Sequence, residues 1–334
     1  MNTTTAPRNV PLVTLAPDTS AMATSLNLMN DSLFKADVLF ASTRYLPHLY
    51  EKFKRLNTVV ITEQQQLAEH CARVVINVES NIPLLRACNL QLNSNKDPEE
   101  NAELQAERSH LLKASLSLVS AEGHQLNKAL SLMTANHDRQ QTQKFQQSLS
   151  NDAVGATANN AVMAAELVRL TEERRVLSGA IAAIESKGLA GIAKDTVITA
   201  QSVMALGMQP PEMALITLAL EHMKATIEQS AEGINLIAMF KRRDGLRLRF
   251  DTLTATLTEA EKSRLELLQR IELIGHFHAM DEQCAVYAEH YRKIVKTLEN
   301  FTALNDAPAS DDQQRSTRLI DSGLQLVAYL TLIR

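Results

Sequence analysis

Residues 99–209 contain no proline, and neither do residues 212–307. Proline and glycine are the usual punctuation of helices, and only 10 glycines are spread over the 334 residues. Runs of this length therefore imply several long helices joined by short connections. Aromatic residues make up 4% of the chain and tryptophan is absent, while Ala, Leu, Glu, Gln, Lys and Met abound. Such a chain favours helix and lacks the residues from which sheets and tight turns are built. The expected fold class is all-α, and a β-sandwich, collagen or a disordered tail is excluded. A hydrophobic fraction of 45% against 22% charged residues supplies a core. No uncharged apolar run of about 18 residues makes a conventional membrane span. The net charge of −4 disfavours a general nucleic-acid binder, so no nucleic-acid partner is expected.

The first 25 residues carry three prolines and many Thr and Ser, without a basic start or a continuous apolar stretch. They read as a flexible segment and not as a cleavable Sec signal. Cys71, Cys88 and Cys284 are too few for a paired framework. On one helix Cys71 and Cys88 would lie roughly 25 Å apart and could not bridge. The protein is expected to be made soluble and either to stay in the cytoplasm or to leave by a route that reads no cleavable signal.

At least five helices are expected. The first runs from about Ser25 to Asn57 with a kink at Pro47. A second starts at Thr62, where Thr62 and Gln65 resemble a capping box, and passes Pro83 to about Asn93. Asp97-Pro98-Glu99-Glu100 opens a third with a cap, a first-turn proline and two acids at the positive end of the helix dipole. A last helix is expected from about Asp311 to Arg334, capped by Ser310 and Gln313 and ending in an apolar stretch. Three segments carry apolar positions at alternating spacings of four and three. They are Leu112, Leu116, Val119, Gly123, Leu126, Leu130 and Met133; Met163, Leu167, Leu170, Arg174, Leu177, Ile181 and Ile184; and Leu253, Leu257, Ala260, Arg264, Leu267, Ile271 and Ile274. Three coiled-coil seams on one chain predict an elongated antiparallel helical bundle.

Residues 188–240 differ in character. Residues 196–211 carry no charge, and Pro210-Pro211 interrupts the chain near the middle. The segment reads as a helical hairpin with its tip at Gly207 to Pro211. Met213, Ile216, Leu220, Met223, Ile227, Ile234 and Ile237 form an apolar stripe on the second arm. Thr217, Glu221, Lys224, Glu228, Glu232 and Asn235 form a polar stripe, as on a strongly amphipathic helix. Asp195, Glu212, Glu221, Glu228 and Glu232 against Lys194 and Lys224 leave the hairpin net negative. A basic run follows at once, with Lys241, Arg242, Arg243, Arg247 and Arg249. An uncharged apolar tip needs a partner or a membrane.

This layout resembles the α-pore-forming toxins, and is most similar to the B subunit of xenorhabdolysin-type binary toxins. The resemblance covers the chain from about residue 26 onward and rests on architecture, with no short diagnostic motif. It implies a water-soluble component of a two-subunit cytolysin that assembles with an A subunit on the target-cell lipid bilayer into a hetero-oligomeric helical pore. It further implies four segments: 1–25 flexible; 26–187 bundle helices of tail and stalk; 188–240 a membrane-facing hairpin head; and 241–334 a returning stalk helix with a C-terminal bundle helix. Candidate membrane-facing residues are Leu189, Ile192, Val197, Ile198, Val203, Met204, Leu206, Met208, Met213, Ile216, Leu220, Met223 and Ile227. Glu221, Lys224, Glu228 and Glu232 are candidates for a pore lumen, and the five basic residues at 241–249 for lipid headgroups. Because the hairpin is not fully apolar, membrane insertion is expected to depend on the partner.

No catalytic or metal constellation accompanies this layout, and neither an enzyme nor a cofactor is expected. His276 and His278 lie two apart and point in nearly opposite directions on a helix, so they do not grip one ion. Ser32-Leu-Phe-Lys35 lacks the companion motifs of penicillin-recognising enzymes. Gly188-x-x-Gly191 lacks the ending of a phosphate loop. The competing reading is a non-lytic helical scaffold or tether whose hairpin caps the bundle.

Overall fold

A computed structural model describes residues 11–134, 139–186, 197–199, 202, 204, 207–226, 233–309 and 311–333. Among them are seven α-helices and no strand: α1 Thr19–Thr43, α2 Pro47–Ser94, α3 Pro98–Met133, α4 Arg139–Ser186, α5 Pro210–Thr226, α6 Leu236–Asp306 and α7 Asp312–Thr331. The fold is all-α, as the proline spacing predicts. The chain divides into one unit of residues 1–144 with 272–334 and a second of residues 145–271.

The helix starts follow capping chemistry. Asp97 accepts from the Glu99 N–H at 3.0 Å and Pro98 takes the first helical position. Asp18 caps α1 through the Ala21 N–H at 2.8 Å. Asp311 caps α7 through the Gln314 N–H at 2.7 Å, so the cap falls one residue beyond the expected Ser310, which lies outside the described residues. The expected kinked helix over 25–57 is corrected to two helices. Pro47 sits at the first turn of α2, where its missing N–H costs nothing, and residues 44–46 form a complete break. The expected start at Thr62 is likewise overturned. Thr62 lies inside α2 and its hydroxyl donates to the Thr58 carbonyl at 2.9 Å.

In the first unit the side-chain hydrogen bonds fix the direction of each neighbour. Asn57 to Asn30 and Tyr50 to Asp37, both 2.9 Å, set α1 antiparallel to α2. Asn81 to Ser115 at 2.9 Å and Arg108 to Asn89 at 3.3 Å set α3 antiparallel to α2. Asn89 to Ser316 at 3.0 Å places α7 against the same helix. At Gly323 an added Cβ would stand 2.9 Å from Val78 Cγ1, so glycine permits the close approach of α7 to α2. Through the middle passes α6, with Phe277 stacked on Phe53 at 5.1 Å and Tyr287 donating to Gln64 at 2.7 Å. Leu273, Phe277, Met280, Cys284, Tyr287, Tyr291, Ile294, Leu298 and Phe301 are all buried and form an unbroken four-three seam. The α3 seam read from the sequence packs into this core at Leu112, Val119, Leu126, Leu130 and Met133. All three cysteines are buried and unpaired.

Two ionisable groups couple this unit to pH. The Glu122 carboxylate, facing His70, accepts from Arg73 Nε at 2.7 Å and Nη2 at 3.0 Å. These bonds to Arg73 hold its pKa below the usual 4.5, so their stabilisation is complete above that value and is lost as pH falls through the folded-state value. His278 is lowered by burial and then by the nearby Arg139 charge, and it pairs with the Thr142 hydroxyl at 2.8 Å. Its contribution is full above the ordinary 6.5 and is lost as pH falls below it, because the unfolded chain takes up the proton first. The melting temperature should therefore fall between about pH 7.5 and 5.5, in the range where histidine titrates. His278→Gln should flatten that slope, and an unchanged slope in the variant would assign the effect elsewhere.

Candidate membrane-facing surface in the second unit

The second unit is built from residues 145–186 of α4, all of α5, and residues 236–271 of α6. Gly207, at φ 65°, makes a turn that non-glycine residues resist, and Pro210 and Pro211 then open α5. The Glu212 carboxylate reaches back to the Gln209 N–H at 3.0 Å, the reciprocal half of a capping box. Gly207 to Pro211 thus holds a turn and a helix start.

One face of α5 packs into an apolar core. Ile216, Ala219, Leu220 and Met223 meet Leu170, Leu177, Ala180, Ile181 and Ile184 of α4 and Met239 and Leu246 of α6. At Gly179 a Cβ would stand 3.6 Å from Leu215 Cδ1, which brings α5 directly onto α4. Thr217, Glu221 and Lys224 occupy a separate, exposed face. The two stripes are therefore segregated on α5 as the sequence predicts.

The second arm, however, is not one helix through Ile237. Residues 233–235 are not helical. Asn235 accepts from the Ala238 N–H at 2.9 Å and caps α6, while the Ile198 N–H donates to the Ile234 carbonyl at 2.8 Å. A Cβ at Gly233 would lie 2.0 Å from Val197 Cγ1, so only glycine admits this crossing of two extended segments. Ile234 and Ile237 consequently belong to a different element from Ile216 and Leu220.

The candidate residues fall into three groups. Met208, Ile216, Leu220 and Met223 are buried, Ile198 and Met213 half-buried, and Val197 and Met204 exposed, Met204 at 68%. Glu221 and Lys224 are exposed. Leu189, Ile192, Val203, Leu206, Ile227, Glu228 and Glu232 lie outside the described residues.

The basic run is tied into ion pairs. Arg242 bonds Glu173 of α4, a carboxylate only 8% exposed, and Arg249 bonds Glu166 at 2.9 Å. Arg169 links the two acids, at 2.7 Å from Glu166 and 3.5 Å from Glu173. Its hydrogen bond holds Glu166 below the usual carboxylate range. Arg243 pairs with Asp244 at 3.0 Å and lies over the Phe240 ring, and Arg247 meets Asp251 at 4.0 Å. Lys241 is exposed. Glu173 is the residue that sequence reading misses, because its cationic partner lies 69 positions away.

Among the described residues no helix is long and apolar enough to cross a membrane, and no group of three His, Cys, Asp or Glu is placed to hold a metal ion. His276 approaches Glu272 of its own helix at 3.8 Å while His278 meets Thr142 of α4, so the pair does not converge.

No family model matches the chain, and no curated protein matches it in sequence. Among solved structures it is similar to PaxB from Photorhabdus luminescens, with a TM-score of 0.73 at 16% identity over 96% of this chain and 97% of that one. XaxB from Xenorhabdus nematophila gives 0.72 at 16% identity over 95% and 98%. A chain of the YaxAB pore complex gives 0.56 at 17% identity over 90% and 93%. At these identities the likeness is one of fold.

Proposed function

We propose that this chain is one subunit of a two-component pore-forming toxin, assembling with a second helical subunit on a target membrane. The observation that carries the reading is the fold likeness over nine-tenths of both chains to a chain of a pore complex. The second unit fits it. The face of α5 that would meet lipid or a neighbouring helix, with Ile216, Leu220 and Met223, is covered by α4 and α6 in this state. The stripe of Glu221 and Lys224 is then assigned to a water-filled lumen. The exposed Lys241 is left to meet lipid headgroups, whereas Arg242 and Arg249 must first give up Glu173 and Glu166. On this reading the chain is soluble before it meets the membrane and has no enzymatic role.

Glu221 and Lys224 on α5 make unaided insertion costly, so lysis should require the partner. Dye release from phosphatidylcholine vesicles tests this, with the chain alone and with a candidate second subunit. Release is expected only from the mixture. Full release by the chain alone would remove the partner requirement. A mixture that forms a complex yet leaves every vesicle intact would favour the scaffold reading.

A further inference from the structure

The N-terminal segment, read from sequence as flexible, is gripped from Pro11 onward. Residues 11–18 have no regular secondary structure, and side chains of α6 and α7 bond their backbone. The Leu12 N–H donates to Gln325 Oε1 at 2.9 Å, and the Val13 carbonyl accepts from Asn300 Nδ2 at 3.0 Å. The Leu15 N–H donates to the Thr297 hydroxyl at 3.2 Å, and the Leu15 carbonyl accepts from the Tyr329 hydroxyl at 2.8 Å. The Asp18 N–H donates to His290 Nδ1 at 3.2 Å. Leu12 is buried as the apolar anchor. Gln325 and Tyr329 stand one turn apart on α7, and His290, Thr297 and Asn300 follow one face of α6. Together they form a groove that recognises extended backbone.

Asp18 both ends this strap and caps α1, so strap and helix form one arm, Pro11–Thr43. At its other end the arm meets a strained hinge. Arg44 and Leu46 both have φ 51°, and they are the only non-glycine residues at positive φ among the described ones. Arg44 still stops α1 in the usual way, its N–H bonding the Phe40 carbonyl at 2.9 Å. Leu46 is worse placed, as a bulky residue in the left-handed region directly before Pro47. The outer side of α1 leaves Phe34 and Val38, one turn apart, 70% and 60% exposed.

We propose that this arm exchanges between copies of the chain, leaving its own groove and its place on α2 to fill those of a second copy. A short hinge under strain is the condition in which such swapping arises. Every groove contact is regained in trans because the occupant is the identical segment, and only the hinge changes, losing its left-handed residues. Arm exchange does not depend on pore formation.

The test uses the full chain in two differently tagged populations, mixed at high concentration after a brief exposure to sub-denaturing urea. Light scattering coupled to size exclusion reads the dimer fraction, and co-purification of the tags reads the exchange. The expected result is a mixed-tag dimer. Leu46→Gly removes the left-handed penalty from the closed monomer and should lower the dimer yield, roughly tenfold per hinge and so about a hundredfold for the two hinges of a dimer. Arg44→Gly should act in the same direction and covers the case in which Leu46→Gly folds poorly. Leu12→Asp loses the same anchor from the closed and the exchanged forms, so it should speed hydrogen exchange through α1 and the mixing of tags, while α3 stays protected and the final dimer fraction changes little. A wild type that is monomeric at every concentration overturns the proposal. So does a dimer whose yield ignores both glycine variants.

Discussion

Replacing Leu170 by aspartate is expected to cost about 3–5 kcal/mol, because it exchanges a buried aliphatic side chain for a carboxylate with no partner in the core. Leu170 is 0% exposed and belongs to the cluster that holds α4, α5 and α6 together. Val168, two residues earlier and 72% exposed, provides the control. Val168→Asp should change stability by no more than about 0.5 kcal/mol, as surface substitutions do. Urea unfolding followed by circular dichroism reads both. Equal midpoints for the two variants would show that the buried face of α4 has been misassigned.

That face is legible in the amino-acid sequence. A four-three spacing places Leu170, Leu177, Ile181 and Ile184 on one side of a helix, and all four are buried in the second unit. On α6 the same arithmetic succeeds and then fails. The seam through Leu253 and Leu267 reaches Ile274, and continuing the count arrives at His278, Asp281 and Ala285. The true seam slips one position, to Leu273, Phe277, Met280 and Cys284, all at most 1% exposed. A count that trusts one unbroken phase therefore loses the core of the first unit, where α6 packs against a different set of helices. Helix boundaries fail for a related reason. Thr62 and Gln65 satisfy a start signal inside a helix already under way, because local capping chemistry carries no record of what precedes it.

The candidate surface is legible in its stripes and not in its breaks. Residues 213–224 separate correctly into a buried and an exposed face because amphipathic period is a property of nearby residues. The interruption before α6 depends on Gly233 meeting Val197, a contact across 36 positions that no periodicity encodes. In sequence the basic run looks free for lipid headgroups because Glu166 and Glu173 lie far back in the chain. Only the antiparallel packing of α4 and α6 brings them to Arg249 and Arg242.

If the chain acts as proposed, stapling α5 to α4 should abolish lysis by the two-subunit mixture while leaving the fold of this chain intact. Ile216, Ala219, Leu220 and Met223 are buried, so a role in meeting lipid or a neighbouring helix requires that α5 first part from α4. Gly179 and Leu215 face each other at that contact, and cysteines at both positions can be joined by a short reducible thiol-reactive linker. The native thiols will not compete. Burial pushes Cys71 up to about 11 and Cys284 to about 12 and also raises Cys88, leaving almost no thiolate at neutral pH. Dye release should fall at least tenfold in the stapled protein and return when the linker is cut. An unstapled double variant controls for the substitutions themselves, since Gly179 tolerates a Cβ at ordinary contact distance. If the stapled chain lyses vesicles at the full rate, α5 keeps its apolar face on α4 throughout, and the membrane-facing role passes to the exposed Val197 and Met204 on the segment that precedes it.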